Sequence, residues 1–414
     1  MTDKYNSFFK NTVLWSLFFV PALLLSTPNY SIGFIVLTIL VSVCYLTHNK
    51  SSLKFDRFDF LVTTCFSFYF IGAIPVTVED LTTTRYFQGG GRLLLCLPIY
   101  FALSHYLKES KINIRKHLEL GVIIGSATAL TVAVYQYYFL SMLRVDGFLF
   151  SINFGYLSCS LAFLAFTFSF NSKRKWWLIC AFLMSIISVN LTFTRGAVFA
   201  IPLLLLLYTT IQFKSINNKA LLGVALALSS GCYLTYMHSD NFKHRINYTI
   251  YEFSNIAAGN INQAASSGDR LQYWFGALEA FKKSPLIGLP YHEREALNQE
   301  LFLAGKMGER AANVSRGHAH SQYFEMLASN GLLGIISIVT TLFLPFMLFI
   351  KQHVSARSDW ALTGAMFVAG FAIFGLTEVP LTANLIGSYY GFMLAVFLAN
   401  ISAEKYHWEQ TLKQ

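Results

Sequence analysis

"WWLICAFLMSIISVNLTFTRGAVFAIPLLLLLYTTIQF", residues Trp176 to Phe213, carries a single charged side chain, Arg195. At about 1.5 Å per residue, one helix of this length would overrun a hydrocarbon core of roughly 30 Å. Two helices must fit instead, with Arg195 and Gly196 at the tight turn between them. In lipid each segment has to satisfy its own backbone polar groups, which leaves helices or a closed barrel. The alternation of apolar and polar residues that a membrane barrel needs is absent. The stretch reads as a helical membrane hairpin that turns at an arginine.

The same reading extends along the chain. Its 414 residues are 55% hydrophobic and 13% charged, with mean hydropathy +0.49, where a soluble domain carries about 25% charge. We read an all-α polytopic membrane protein of about twelve spans, at 11–28, 31–47, 59–77, 92–107, 117–139, 151–170, 176–193, 196–213, 219–237, 331–350, 359–377 and 384–401. Basic residues sort the connections. One side holds Lys4, Lys10, Lys50, Lys54, Arg57, Lys108, Lys111, Arg115, Lys116, Lys173, Arg174, Lys175, Lys214, Lys219, Lys351, Arg357, Lys405 and Lys413. The short connections of the other side hold only Arg85, Arg92, Arg144 and Arg195. Both termini are therefore expected in the cytoplasm, and the first apolar segment reads as a retained anchor. The net charge of +10 largely reflects this bias, so nucleic acid is not implied. All six cysteines, Cys44, Cys65, Cys96, Cys159, Cys180 and Cys232, fall inside expected spans without metal-ligand spacing.

Three regions follow: a first bundle at 1–237, a large outer loop at 238–330, and late spans with a cytoplasmic tail at 331–414. So long a loop usually has a function or its own structure. "NFKHRINYTIYEFSNI" shows an apolar helical stripe at Ile246, Ile250 and Phe253. "NIAAGNINQAASSG" reads as a flexible linker. "SSGDRLQYWFGALEAFKKSP" reads as an amphipathic helix capped at Ser267 or Asp269, with Leu271, Trp274, Phe275, Leu278 and Phe281 on one face. Its apolar face either packs on the bundle or lies on the bilayer. "YHEREALNQELFLAGKMGER" suggests a further short helix.

Candidate functional residues gather on the outer side. Arg195 suits a phosphate, with Gly196 allowing close backbone approach; an interfacial anchor or a structural salt bridge accounts for it equally well. Arg270 opens the amphipathic helix, where an exposed arginine is commonplace. In "SRGHAHSQYFEMLASNGLLG", Ser315 to Gly334, His320 shares a helical face with Tyr323 or Phe324 and Leu327, while His318 points elsewhere. A histidine there is either a proton acceptor or a hydrogen-bonded interfacial residue. A zinc site on His318 and His320 lacks a third ligand at familiar spacing. Gly331 would let the chain turn or pack closely as it enters the span. In "TTTRYFQGGGR", Thr82 to Arg92, the glycines either offer amides to an anion or simply turn the chain. Glu378 in "GLTEVP" either orients an arginine or the acceptor, or ends its helix.

Taken together, "FTRGAVF", "GDRLQYW…KSPLIGLP" and "HAHSQYFEMLASNGLLGI" resemble, in order and placement, the O-antigen ligase and polymerase superfamily of bacterial envelope glycosyltransferases. The likeness covers mainly residues 185–380. It implies about twelve helices, one large periplasmic loop and a place in the bacterial inner membrane with the active site facing the periplasm. It implies transfer of a preassembled glycan from undecaprenyl pyrophosphate, in an O-antigen ligase, to a sugar hydroxyl of lipid A–core in lipopolysaccharide biosynthesis. By motif, Arg195, Arg270 and His320 match the family's catalytic positions and Glu378 an acidic position of similar ligases. Arg316, His318 and Tyr323 are added as substrate-binding candidates. The closest ligases often read His-Asn where this chain has His320-Ser321. Two arginines facing a departing pyrophosphate make a divalent metal unnecessary, and no cofactor is expected. An O-antigen polymerase and a protein O-oligosaccharyltransferase are the neighbouring alternatives. A transporter of lipid-linked substrate belongs to another class; inverted repeats with broken helices would support it, and no matching halves are evident.

Overall fold

The computed structural model describes residues 2–50, 55–110, 112–212, 240–315 and 317–412, with the isolated positions 223, 233, 236 and 237. The span expected at 219–237 lies almost wholly outside the described residues, as do Cys232, Lys54, Lys111, Lys214, Lys219, Lys413 and the candidate Arg316. Among the described residues there is no strand.

The helices are α1 (Thr2–Ala22), α2 (Tyr30–His48), α3 (Arg57–Gly72), α4 (Ile74–Glu79), α5 (Phe87–Leu95), α6 (Leu97–Glu109), α7 (Arg115–Val134), α8 (Ser151–Ser169), α9 (Lys175–Leu191) and α10 (Arg195–Ile211). Later come α11 (Asp240–Ala257), α12 (Ala265–Lys283), α13 (Tyr291–Leu303), α14 (Glu309–Ala312), α15 (Gln322–Ile338), α16 (Leu344–Ala356), α17 (Asp359–Phe374) and α18 (Asn384–Leu412). Among the described residues, six stretches are long and apolar enough to cross a membrane: Tyr30–His48, Arg57–Glu79, Arg115–Phe139, Ser151–Ser169, Gln322–Ala356 and Asn384–Thr411. This is a polytopic helical membrane protein, although six such stretches fall short of twelve.

The hairpin that decided the reading is built from two shorter apolar helices, α9 and α10, of 17 residues each. Each is about 25 Å long, so its ends must sit close to the boundary of the hydrocarbon. Thr192 to Thr194 form the turn, and Arg195 is the first residue of α10.

The bundle core runs from end to end, with α18 at its centre. Tyr389, Tyr390, Leu394 and Phe397 are completely covered, and α5, α6 and α17 pack around them. At the end that begins α7 and α17, Arg115 ties the helices together. It donates to Glu119 and to Asp359, both at 2.8 Å, and to the Phe168 carbonyl at 3.0 Å. A charged group so placed costs less when every lone pair around it is used.

The large loop has a second, smaller core. Ala277, Ala280, Leu289, Leu297, Leu301 and Met307 pack together with Ala319 and Ala328. Trp274 stacks on Phe324 at 5.0 Å, fastening α12 to α15. The amphipathic helix therefore packs on the protein, although its most buried residues are the small Gly276, Ala277 and Ala280 together with Gln272. Neither expected cap is used: α12 begins at Ala265, and its N-cap Ala264 makes no side-chain bond. The expected linker is a compact connection, with a 3-10 turn at Ile261–Gln263 and Ala264 fully buried.

Helix α11 turns much of its apolar stripe outward. Ile250 and Phe253 are exposed, while Glu252 between them is wholly covered. The rule that apolar faces point inward assumes water outside. Beside a bilayer the outward face can be apolar and the inward face can carry the charges.

Two glycines explain local geometry. Gly90 lies against the backbone of Tyr69 and Phe70, leaving no room for a Cβ. Gly89 and Gly90 therefore serve close packing of α5 on α3, and the segment is helical, not a free turn. Gly331 has φ +58, and a Cβ there would meet the Leu286 carbonyl carbon at 2.7 Å. It breaks α15 into two pieces at the junction between loop and span.

Candidate active site

Helix α15 starts two residues later than its apolar spacing suggested. Ser321 is its extended N-cap, and His320 before it has φ +47, a left-handed conformation that costs a non-glycine residue of order 1 kcal/mol. His320 is thus on a turn, not on a helical face with Tyr323 and Leu327. The turn also brings His318 round to the same side.

Both imidazoles reach one carboxylate. Glu378 follows α17; its Oε1 is 3.3 Å from His318 Nε2 and its Oε2 is 3.2 Å from His320 Nδ1. Of the two readings for Glu378, an arginine partner is excluded among the described residues. The turn is held from behind. Ala319 N donates to Glu325 at 2.8 Å, and Glu325 is gripped by Arg294 at 2.8 and 3.0 Å. Gln322 N and Ser321 Oγ both donate to the Gly375 carbonyl, and Leu381 N donates to Gln322 Oε1. The segments bearing the histidines and the glutamate are therefore fixed to each other by bonds that involve the main chain.

The hydrogen bonds assign the protons. His320 N donates to His318 Nδ1 at 3.1 Å, so that nitrogen carries a lone pair and Nε2 carries the hydrogen. His318 Nε2–H and His320 Nδ1–H then both donate to Glu378, leaving His320 Nε2 with its lone pair. Burial pushes Glu378 up, but the hydrogen bond from His320 and the two imidazoles hold it below the usual carboxylate range. Burial pulls His318 below its ordinary value despite that carboxylate, so it is neutral at pH 7.

These three residues also offer a set of metal ligands within 4.8 Å of one another. Folding has supplied the third ligand that spacing lacked. The donor set nevertheless suits a metal poorly. Coordination through His318 Nε2 would move its proton to Nδ1, directly against the His320 amide.

Arginines line the other side. Gly196, next to Arg195, packs on Thr377 and Tyr156, so the start of α10 abuts the residue preceding Glu378. Tyr273, one turn after Arg270 on α12, stacks on His320 with ring centroids 5.7 Å apart. Arg270 and Glu378 are both within electrostatic reach of Tyr156. Arg195 donates to Glu252 of α11, to Thr249 at 3.3 Å and to Ser266 at 3.0 Å. The salt-bridge reading of Arg195 is correct as far as it goes, and it docks α11. Burial raises Glu252, but the bonds from Arg195 and Ser267 bring it below its usual value.

Two arginines that the sequence reading did not select complete the cluster. Arg144 donates to the Thr192 carbonyl at 3.1 Å and to Thr194 at 3.3 Å. Burial, then the charges of Arg195 and Arg270, depress its pKa. Arg245 is depressed by burial and then by Arg195 and Arg144; its Nε is buried without a partner. Arg270 makes no hydrogen bond or ion pair with a described residue. Among the described residues, one ion pair, Arg195 with Glu252, serves these four guanidiniums, so the group is short of anionic charge.

Tyr323 stands apart from this cluster. Its hydroxyl donates to the Ala372 carbonyl at 2.7 Å and its ring packs on the bundle core. Arg294 and Glu325 were also missed by sequence reading, because a pair 31 residues apart leaves no local pattern.

A helical membrane bundle thus places a His–Glu–His set, its carboxylate ionised, beside a group of arginines. Residues 179–339 match the family described as O-antigen ligase. The resemblance of the three motifs to that family is thereby borne out over this segment, and the match supports a ligase- or polymerase-type activity. The segment contains Arg195, Arg270 and His320 and ends before Glu378. An uncharacterized protein of Haemophilus influenzae (strain ATCC 51907 / DSM 11121 / KW20 / Rd) is 23% identical over 358 residues, covering 84% of this chain and 87% of its own.

Proposed function

We propose that the protein is an inverting, metal-independent O-antigen ligase. It moves a preassembled O-antigen polysaccharide from undecaprenyl pyrophosphate to a sugar hydroxyl of lipid A–core, on the periplasmic face of the bacterial inner membrane. In this reading the chain crosses twelve times with both termini in the cytoplasm. The observation that carries it is the juxtaposition, through Tyr273 and Thr377, of the His320–Glu378 pair with the arginine cluster.

Each group then has a task. His320 Nε2 takes the proton of the attacking hydroxyl as the new bond forms between acceptor oxygen and anomeric carbon. Glu378 fixes the Nδ1–H tautomer and stabilises the imidazolium, a role worth about 10²–10⁴ in rate for such acid–base groups. The bond from the anomeric carbon to the pyrophosphate breaks on the opposite face, inverting that centre. The charge left on the pyrophosphate is met by Arg270, with Arg195, Arg144 and Arg245 around it. Removing one such donor costs about 10²–10³. With four guanidiniums on the leaving group, no divalent cation is required, and no cofactor takes part.

The test uses purified protein, polyprenyl pyrophosphate-linked glycan and lipid A–core without added metal, with products followed on a gel. Glycan on lipid A–core, lost in His320→Ala and Arg195→Ala, is the expected outcome. Longer glycan still on the carrier would make the protein a polymerase, and product on Ser or Thr of a protein would make it an oligosaccharyltransferase. Carrier movement that depends on a sealed compartment, without product, would indicate transport.

A further inference from the structure

The end of the bundle away from His320 holds a cavity of about 340 Å³. Trp360, at the start of α17, lines it, whereas Glu378 follows the end of that 16-residue helix; the two sites are therefore about 24 Å apart along the axis. The other polar lining residues are Ser110, Asn113, Asn400, Glu404 and His407. No lysine or arginine is among the described lining residues.

A carboxylate, Glu404, gives the cavity its sign. Ser110 Oγ donates to the Tyr106 carbonyl at 2.7 Å, Asn400 Nδ2 to the Val396 carbonyl at 2.7 Å, and His407 Nε2 to the Leu107 carbonyl at 3.0 Å. One donor of each group is thereby spent on the protein's own backbone; Asn400 keeps a second N–H, and Asn113, whose Oδ1 accepts from Arg115 N at 3.1 Å, keeps its amide hydrogens. A ring nitrogen facing a carbonyl must carry the hydrogen, so His407 Nδ1 keeps a lone pair. Asn400 Oδ1 is likewise an unused acceptor among the described residues. Glu404 Oε2 accepts from Ser358, and its Oε1 has no partner among the described residues. Three acceptors, one of them a carboxylate oxygen, therefore line a cavity of ligand size beside an indole ring.

From this arrangement we infer that the cavity binds a primary ammonium group, the chemistry of an ethanolamine phospholipid headgroup. An –NH₃⁺ offers three donors to three acceptors, and Trp360 adds a cation–π face. Leu107, Ile112, Ile114 and Ala403 line the cavity beside these polar groups, which suits a headgroup whose chains remain in lipid. A quaternary choline retains the charge but has no N–H to donate, so the site discriminates between the two headgroups. The site is independent of the transfer reaction.

The test uses the full chain in phosphatidylcholine nanodiscs with and without phosphatidylethanolamine, read by native mass spectrometry and by the thermal unfolding midpoint. Phosphatidylethanolamine should be retained and should raise the midpoint; phosphatidylcholine and phosphatidylglycerol should not. Glu404→Gln removes a charge-assisted hydrogen bond and should weaken retention about tenfold or more. Glutamine still accepts from Ser358, so the midpoint in pure phosphatidylcholine should be unchanged. Ser110→Leu narrows the cavity with the carboxylate intact and should give the same loss. Soluble ethanolamine reproducing the shift would support the ammonium chemistry with a free amine as its source. Equal retention of all three lipids by the wild type, or full retention by both variants, would overturn the assignment.

Discussion

Replacing Glu378 by glutamine separates charge from shape at the proposed base. The amide keeps an acceptor for His320 Nδ1–H but cannot stabilise an imidazolium. At the observed 3.2 Å, a full ion pair at an effective dielectric of about 20 is worth about 5 kcal/mol. The His320 side chain is 35% exposed, and solvent screening at such a site reduces this to about 2–3 kcal/mol. With tenfold in rate per 1.4 kcal/mol, kcat should fall about 10²-fold. KM for the donor should change little, because the loss arises only when the proton has moved. Initial rates of glycan transfer to lipid A–core, at several donor concentrations, measure both. Glu378→Asp, which keeps the charge, should retain more activity than glutamine. A folded Glu378→Gln enzyme with kcat within about threefold of wild type would refute the stabilising role, and equal impairment of both variants would mean that position, not charge, matters.

Arg270→Ala should lower the transfer rate about 10²–10³-fold while leaving the unfolding midpoint unchanged, since the side chain bonds to no described residue; Arg195→Ala should lower both, because it also removes the docking contacts to α11. Gly331→Ala should destabilise by about 1–3 kcal/mol or more from its backbone conformation and the clash with Leu286, seen as a lower unfolding midpoint in detergent. Glu252, with its folded pKa depressed, binds protons less readily in the folded state, so it contributes stability above its unfolded value of 4.5 and loses it as pH falls through the lower folded value. Wild type should therefore lose stability below about pH 4.5 more steeply than Glu252→Gln, in unfolding scans at successive pH values.

The spans were legible because a bilayer imposes length and forbids charge, and "WWLICAFLMSIISVNLTFTRGAVF" obeys both constraints visibly. Arg195, Arg270 and His320 were selected through motif order, which no single side chain could supply. What stayed hidden depends on tertiary geometry. The convergence of His318 and His320 needs positive φ at His320, and nothing in Ala-His-Ser announces it. The outward stripe of α11 could not be read, because Ile250 and Phe253 make the same pattern whether they face protein or lipid. Arg144 and Arg245 looked like ordinary loop residues until folding placed them beside Arg195.

Helix α15 belongs to two bodies at once: Met326 packs into the bundle core, and Ala328, half a turn further on, into the core of the loop. The turn bearing His318 and His320 opens this shared helix, and Glu378 and Arg270 approach it from opposite bodies. The constellation exists only where the two bodies meet, so a substitution that weakens their contact would disperse the site without touching any of its residues.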